Sequence, residues 1–107
     1  MKITNFGIPS RFADYEIDEN CHLYKVEVFD RAEDAEHGTH TTVEGELVTQ
    51  DRDMSGNPSS RRTGVALHFW SEVHEAPEDK FVMCIFQHKG GEFIQFKTLT
   101  EYEGKAA

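Results

Sequence analysis

The chain lacks the features that mark membrane, secreted and nucleic-acid-binding proteins. No apolar run approaches the roughly 20 residues that a membrane-spanning helix needs, and residues 1–5 contain no apolar signal region. The 11 basic residues are outnumbered by 20 acidic ones, which gives a formal net charge of -9. This charge disfavours neutralisation of nucleic-acid phosphates and docking on anionic lipid. We therefore expect a cytoplasmic protein that binds neither nucleic acid nor membrane directly.

Cysteine is scarce, and the motifs of common enzymes are missing. The two cysteines, Cys21 and Cys84, form no CxxC pair, and neither has the basic neighbours that activate a thiol. In a cytosolic chain we expect two reduced thiols, and a disulfide between them would need their Cα atoms to lie close together. The sequence contains no G-x-S-x-G, P-loop or G-x-G-x-x-G motif. We expect no enzymatic activity and no cofactor.

Aromatic residues, by contrast, are abundant: eight Phe, three Tyr and one Trp in 107 residues. Such a chain is long enough for one compact domain, residues 1–107, and too short for two. Its hydropathy alternates mostly with a period of two residues, which is typical of strands. We therefore predict an all-β domain, a small antiparallel barrel or sandwich of five to six strands with a C-terminal hairpin and at most one short helix.

The alternation predicts strands at residues 2–6, 21–29, 41–48, 64–70, 80–87 and 92–99. Residues 88–91 contain Gly90 and Gly91, which favours a tight hairpin, because glycine tolerates positive φ. A two-residue loop there places one apolar stripe on a single face, namely Phe81, Met83, Ile85, Ile94 and Phe96. Phe12 and Tyr15 lie at helical spacing, so one or two helical turns are expected within residues 10–20.

The opposite faces of the last three predicted strands are also apolar, with Ala66, His68, Trp70, Val82, Cys84, Phe86 and Phe93. Three interpretations remain open. The segment around Phe12 and Tyr15 covers this surface, or the surface binds a partner, or it forms a homodimer.

Two short motifs suggest metal binding. The run His37-Gly38-Thr39-His40, followed by Glu44, resembles the opening of the cupin metal motif, although the HxxH spacing does not put both imidazoles on one strand face. The alternative function is therefore a metal-binding β-barrel protein, or an enzyme, that uses His37, His40 and Glu44. Residues 51–56, with the sequence DRDMSG, resemble the opening of an EF-hand calcium loop.

The calcium resemblance ends at the twelfth position, where Arg62 replaces the glutamate that the EF-hand family needs. We therefore expect a surface loop built from turns in which Asp side chains bond nearby backbone amides. A loop as long as residues 51–63 without secondary structure is either functional or mobile.

Acidic residues cluster in the predicted connections, at residues 14–19, 30–36 and 72–79. If these connections meet at one end of the sheet, they form a negative rim that steers the chain to a basic surface. We therefore predict a non-catalytic inhibitor or adaptor of a protein partner, for example a phage or mobile-element protein that blocks a nucleic-acid-binding host protein. The predicted partner-binding residues are Glu33, Asp34, Glu36, Glu72, Glu75, Glu78, Asp79, His68 and Trp70.

Overall fold

The chain folds mainly into antiparallel strands, which confirms the predicted all-β class. A computed structural model describes residues 2–4, 14–16, 21–72, 79–88 and 91–104. The elements are β1 (Lys2–Thr4), β2 (Asp14–Glu16), β3 (Cys21–Asp30), β4 (Thr39–Glu44), β5 (Leu47–Asp51), β6 (Gly64–Ser71), β7 (Lys80–His88), β8 (Gly91–Thr98) and α1 (Leu99–Tyr102). None of the helices found in these ranges is long and apolar enough to cross a membrane.

Six strands form one antiparallel sheet in the order β5-β4-β3-β6-β7-β8, and β1 pairs with β2 in a separate two-stranded sheet. The large sheet consists of two three-stranded meanders, β3–β5 and β6–β8, which are joined where β3 pairs with β6. Within the described residues the edge strands β5 and β8 do not pair with each other, so the sheet is open. Of the two architectures expected from the sequence, the barrel is therefore not formed.

Alternation along β6, β7 and β8 gives the large sheet two apolar faces. The Phe69 face carries a buried cluster of Phe69, Phe81, Met83 and Phe96. Met83 pairs with Phe96 across the β7–β8 hairpin, which confirms the predicted two-residue connection. The Glu27 face carries a second cluster of Phe29, Ala66, Val82 and Cys84. Residues 89–90 themselves lie outside the described residues.

The cluster on the Glu27 face is covered by side chains from two other segments. Met54 comes from the β5–β6 connection, and Leu99 and Tyr102 come from α1. A capping box begins this helix: the Thr98 hydroxyl accepts the Glu101 N–H at 3.0 Å, and the Glu101 carboxylate accepts the Thr98 N–H at 2.7 Å. The cover predicted from Phe12 and the side chain of Tyr15 lies outside the described residues.

The predicted strand at residues 41–48 is in fact a hairpin. Glu44 pairs with Leu47, so Gly45 and Glu46 form a two-residue turn between β4 and β5. Gly45 has a φ of +61°, a conformation that glycine adopts without steric cost. In this register Val43 shares a face with Val48, whereas Leu47 shares the opposite face with Glu44, so the turn reverses the alternation that the sequence suggested. Glu46 therefore lies in the turn and not in a strand.

The helical turns predicted within residues 10–20 are wrong over Asp14–Glu16, which form β2. Ile3 of β1 lies opposite Tyr15 in this pairing. Pairing with another strand satisfies backbone groups that an isolated helical turn leaves without partners. The rest of this predicted segment lies outside the described residues.

The β5–β6 connection, residues 52–63, is anchored by buried contacts. Ser59 is only 2% exposed. Its hydroxyl accepts the Arg62 N–H at 2.9 Å and donates to the Gln87 carbonyl at 3.3 Å. The Asn57 side-chain amide donates to the Arg62 carbonyl at 2.9 Å. These bonds tie the connection to β7 and to itself, which argues against the mobile loop that its composition suggested.

Candidate functional site

The acidic connections lie at opposite ends of the large sheet. Because β3 and β6 are antiparallel, the connection that follows β3 and the connection that follows β6 leave from opposite ends. The acids at residues 30–36 therefore lie far from Glu72 and Asp79, and the single negative rim predicted for these two clusters is wrong. Glu75 and Glu78 lie outside the described residues.

The acids next to β3 are largely neutralised by arginines. Arg61 donates two hydrogen bonds to Asp34, from Nε at 2.7 Å and from Nη2 at 2.8 Å. Arg62 approaches Glu33 at 2.8 Å. The hydrogen bonds from Arg61 hold the pKa of Asp34 below its ordinary value. Of the three predicted contact residues here, Glu36 extends furthest into solvent, with 89% of its side chain exposed.

At the other end of the sheet, a β-bulge brings Tyr24 beside Trp70. The register between β3 and β6 shifts between Leu23 and Lys25, so Tyr24 is the extra residue. The simple alternation predicted for β3 therefore breaks at this point. His22 pairs with Trp70 on the Glu27 face, whereas the sequence placed His22 and Glu27 on opposite faces.

Tyr24 and Trp70 line a cavity of about 400 Å³, which we call the Trp70 pocket; its lining residues are Tyr24, Glu44, Trp70, Asp79 and Lys80. Trp70 is 37% exposed, and its indole stacks on the His22 ring with 4.5 Å between ring centroids. The His22 Nε2 atom lies 3.1 Å from Glu72. The structure thus brings three predicted contact residues, Trp70, Asp79 and Glu72, to one end of the sheet, and adds Glu44 and Tyr24.

Two carboxylates, Glu44 and Asp79, and one cation, Lys80, line the Trp70 pocket. Burial raises the pKa of Tyr24, and the negative charges of Glu44, Glu103, Asp79 and Glu27 raise it further. The Lys80 ammonium lies 5.8 Å from the centroid of the Tyr24 ring, within the range of a cation–π interaction. A cation from the chain itself therefore already occupies an aromatic face of this pocket.

His68, another predicted contact residue, is 2% exposed and so does not lie on the surface. It belongs to a buried group that we call the Glu27 network. Glu27 Oε2 lies 2.6 Å from His68 Nε2 and accepts the Tyr102 hydroxyl at 3.0 Å, while Glu27 Oε1 lies 2.9 Å from His40 Nε2. The other ring nitrogen of His40 lies 2.9 Å from Asp51. The network therefore crosses four neighbouring strands, β5, β4, β3 and β6.

The Glu27 carboxyl stays ionised despite its burial. Burial raises its pKa, but hydrogen bonds from His68, His40 and Tyr102 and the charge of His68 lower the pKa to about 2. His40 lies between two carboxylates, those of Glu27 and Asp51. Both Glu27 oxygens already have hydrogen-bond partners. The role of the network is therefore to hold neighbouring strands together.

A second cavity of about 270 Å³ adjoins this network; its lining residues are Glu27, Phe29, His40, Asp53, Ser55, Gly56, Tyr102 and Glu103. The Tyr102 hydroxyl also lies 2.9 Å from the Gly56 carbonyl, which links α1 to the β5–β6 connection. Sequence reasoning missed this network. The signal was a charged residue and a histidine, Glu27 and His68, at the centres of two strands that are otherwise largely apolar.

The structure does not bring the alternative metal ligands together. His40 lies in the Glu27 network, Glu44 lines the Trp70 pocket, and the His37 side chain is 63% exposed on the β3–β4 connection. No group of three or more His, Cys, Asp or Glu side chains in the described ranges is arranged to hold a metal ion. In the calcium-like segment, Asp51 accepts the Asp53 N–H at 2.9 Å, as expected of a turn-rich surface loop.

Neither cysteine of the described chain takes part in a disulfide. Cys84 is fully buried between β6 and β8. Burial raises the pKa of its thiol to about 11, and a thiol of this kind is a poor nucleophile at neutral pH.

Comparisons with known proteins identified no relative: no family model, no curated protein and no solved structure matches the chain.

Proposed function

We propose that this is a small acidic, non-catalytic binding protein that engages a basic surface of a protein partner through the Trp70 pocket. The observation that carries the proposal is the half-exposed Trp70 indole beside the Glu44 and Asp79 carboxylates in one cavity. Tryptophan is a frequent anchor of protein interfaces. Carboxylates beside an aromatic ring favour a cationic group of the partner, an arginine or a lysine.

Lys80 supports this choice of ligand. Its ammonium group lies over the Tyr24 ring, as a cation from a partner would. A cation–π contact contributes about 0.5–2 kcal/mol, depending on how far it is desolvated. An incoming arginine would replace Lys80 on the ring and release it to Asp79 or to solvent.

The overall charge supports fast association with a basic surface. The net charge of -9 attracts a cationic partner over a distance and raises the on-rate at low salt. More specifically, the protein would be an inhibitor from a phage or mobile element. It would occupy the cationic groove of a nucleic-acid-binding host protein in the cytoplasm. The same charge disfavours direct contact with nucleic acid or membrane.

The single tryptophan of the chain makes the pocket directly observable. Titration with a hexa-arginine peptide at low ionic strength should change the emission of Trp70 and reach saturation. Glu44→Gln should weaken this binding several-fold, because it removes a carboxylate from the pocket wall. Glu36→Gln removes the same charge at the opposite end of the sheet and should have little effect.

Equal losses in the two variants would show that only net charge matters, and the proposed pocket would be wrong. An unchanged emission would contradict the proposal directly. Capture of the partner from a native lysate at two salt concentrations, with identification by mass, then supplies the physiological ligand for the same measurements.

A further inference from the structure

The hairpin formed by β4 and β5, residues 39–51, extends beyond both apolar clusters, and we call it the β4–β5 arm. Every residue of β5 is exposed. Neither cluster includes a residue of β4 or β5 among the described residues. Leu47 is 64% exposed and Val48 is 60% exposed. Val43 lies opposite Val48 and is 40% exposed, so the arm displays apolar side chains that its own fold does not cover.

No strand of the described ranges pairs with the outer edge of β5. An edge strand presents alternate N–H and C=O groups without a neighbour, and proteins commonly protect such edges with lysine, proline or a bulge. β5 contains no lysine or proline, and its register with β4 is unbroken from Leu47 to Asp51. This edge therefore has the hydrogen-bonding groups and the regular geometry needed for strand addition.

The charges of the arm indicate which strand would fit. Residues 39–51 contain no lysine or arginine. Glu44 and Glu46 lie at the turn, and Asp51 and Asp53 lie at the other end of β5. A second copy of the chain would bring two net charges of -9 together, whereas an extended segment with basic ends and an apolar centre complements both the charges and the apolar side chains.

We propose that the β5 edge binds an extended basic segment of the partner by strand addition. This inference rests on the proposed function, because the same basic protein supplies the segment. The two surfaces are continuous: Glu44 lines the Trp70 pocket and pairs with Leu47 at the start of β5.

The antiparallel register defines the sequence of this segment. Apolar residues lie opposite Leu47 and Val48, and a basic residue lies opposite Asp51. A second basic residue follows the apolar pair and faces Glu46 at the turn. The segment therefore reads basic, any, any, apolar, apolar, basic.

The test uses the full chain and an end-capped peptide of this pattern, Lys-Thr-Thr-Val-Val-Lys. In amide NMR spectra of the protein, the chemical-shift changes caused by the peptide should concentrate in β5. Hydrogen exchange of alternate β5 amides should slow. Val48→Lys should weaken binding at least tenfold, because it places a protective charge on the edge. Val28→Lys adds the same charge to the same face on the interior strand β3 and should have little effect.

A peptide with N-methylated backbone amides keeps every side chain and charge but loses strand pairing. Equal binding of the methylated and unmethylated peptides would overturn the inference. So would a concentration-dependent dimer, seen by sedimentation and abolished by Val48→Lys, because a second copy would then occupy the edge. If hexa-arginine binds at Trp70 while the Val-Val peptide leaves β5 unchanged, this inference fails and the proposed function stands. If hexa-arginine leaves Trp70 unchanged, the proposed function itself fails.

Discussion

Glu27 keeps a negative charge within the sheet because each carboxylate oxygen has a donor. Transfer of an unpaired carboxylate out of water costs far more than a single hydrogen bond returns. His40, His68 and Tyr102 together supply the compensation. Removal of the charge while the histidines remain therefore leaves donors and positive charge without a partner, which destabilises the fold.

The pH dependence of stability follows from the pKa of Glu27. The folded-state pKa of about 2 lies below the ordinary value of 4.5. Its stabilising contribution is therefore complete above pH 4.5 and is lost as the pH falls toward 2. At pH 6, Glu27→Gln should lower the free energy of unfolding by about 2–3 kcal/mol. Urea unfolding of both proteins at several pH values measures the difference, which should shrink to near zero at pH 2; a difference independent of pH would contradict this account.

Truncation of Trp70 should separate binding from folding. Because the indole is 37% exposed, Trp70→Ala should lower the melting temperature less than removal of a fully buried ring does, and it should raise the off-rate of the partner. Phe81→Ala is the matched control, since Phe81 is 0% exposed; its removal should cost about 3–5 kcal/mol. Thermal unfolding and surface-based kinetics measure both effects. A loss of stability in Trp70→Ala as large as that in Phe81→Ala would show that Trp70 serves the core rather than an interface.

At the scale of elements, the sequence predicted the strands whose alternation is continuous. β6, β7 and β8 follow the predicted ranges within a residue or two, and the β7–β8 register follows from loop length alone. The β4–β5 turn was missed because residues 41–48 read as one alternating run, although the turn at Gly45 and Glu46 divides it. The bulge at Tyr24 was missed because it depends on how β3 pairs with β6, which is distant in sequence. Glu27 and His68, which meet across this pairing, are 41 residues apart.

The sequence predicted those residues of the candidate site whose place in it depends only on their own exposure and charge. Trp70, Glu72 and Asp79 were singled out from the sequence, and they lie at one end of the sheet. The neutralisation of Glu33 and Asp34 depends on Arg61, which folds back from a distant connection. Such pairings come from tertiary contacts, and the charge pattern of a single segment does not contain them.

The packing of the β5–β6 connection against β6 depends on the absence of a side chain at Gly64. A Cβ atom there would lie 2.8 Å from Pro58 Cγ and would also clash with the Asn57 side chain. Gly64→Ala should therefore lower the free energy of unfolding by about 1–3 kcal/mol through overpacking. Ser60→Ala changes an exposed residue of the same connection and should stay within about 0.5 kcal/mol. Chemical denaturation compares them, and equal stability of the two variants would show that the connection adjusts freely.

At the scale of the whole molecule, the position of each charge matters as much as the total. Lysine substitutions at Glu33 and Asp34 would place like charges against Arg61 and Arg62 and so destabilise the fold. A loss of binding in these variants would not distinguish weaker electrostatic attraction from loss of the folded state. The Trp70 end of the sheet offers a cleaner test.

Reversal of Glu46 and Glu72 to lysine should lower the on-rate of the captured partner about tenfold at low salt. The effect should fade near 0.5 M salt, where the Debye length is only a few ångströms. Reversal of Glu36 and Glu92, at the opposite end of the sheet, changes the net charge equally and should lower the on-rate less. Stopped-flow kinetics measures all three proteins. Salt-independent association would exclude electrostatic steering.

Chelation should leave the stability of the whole molecule unchanged. A metal bound only by the folded state raises the melting temperature by linkage, and His37, His40 and Glu44 lie in separate surroundings. Thermal unfolding with and without EDTA checks this expectation. A clear drop in melting temperature would instead favour the metal-binding alternative.

The two meanders also imply an order of events during folding. Each meander joins strands that follow one another in sequence, and hairpins of this kind form in about 1–10 µs. The seam between β3 and β6 is different: Glu27 and His68 meet across 41 residues of chain. Closure of so long a loop costs entropy before any contact across the seam compensates for it. We therefore expect the docking of the two three-stranded units to be the slow step of folding, with the contact between Glu27 and His68 formed in that step.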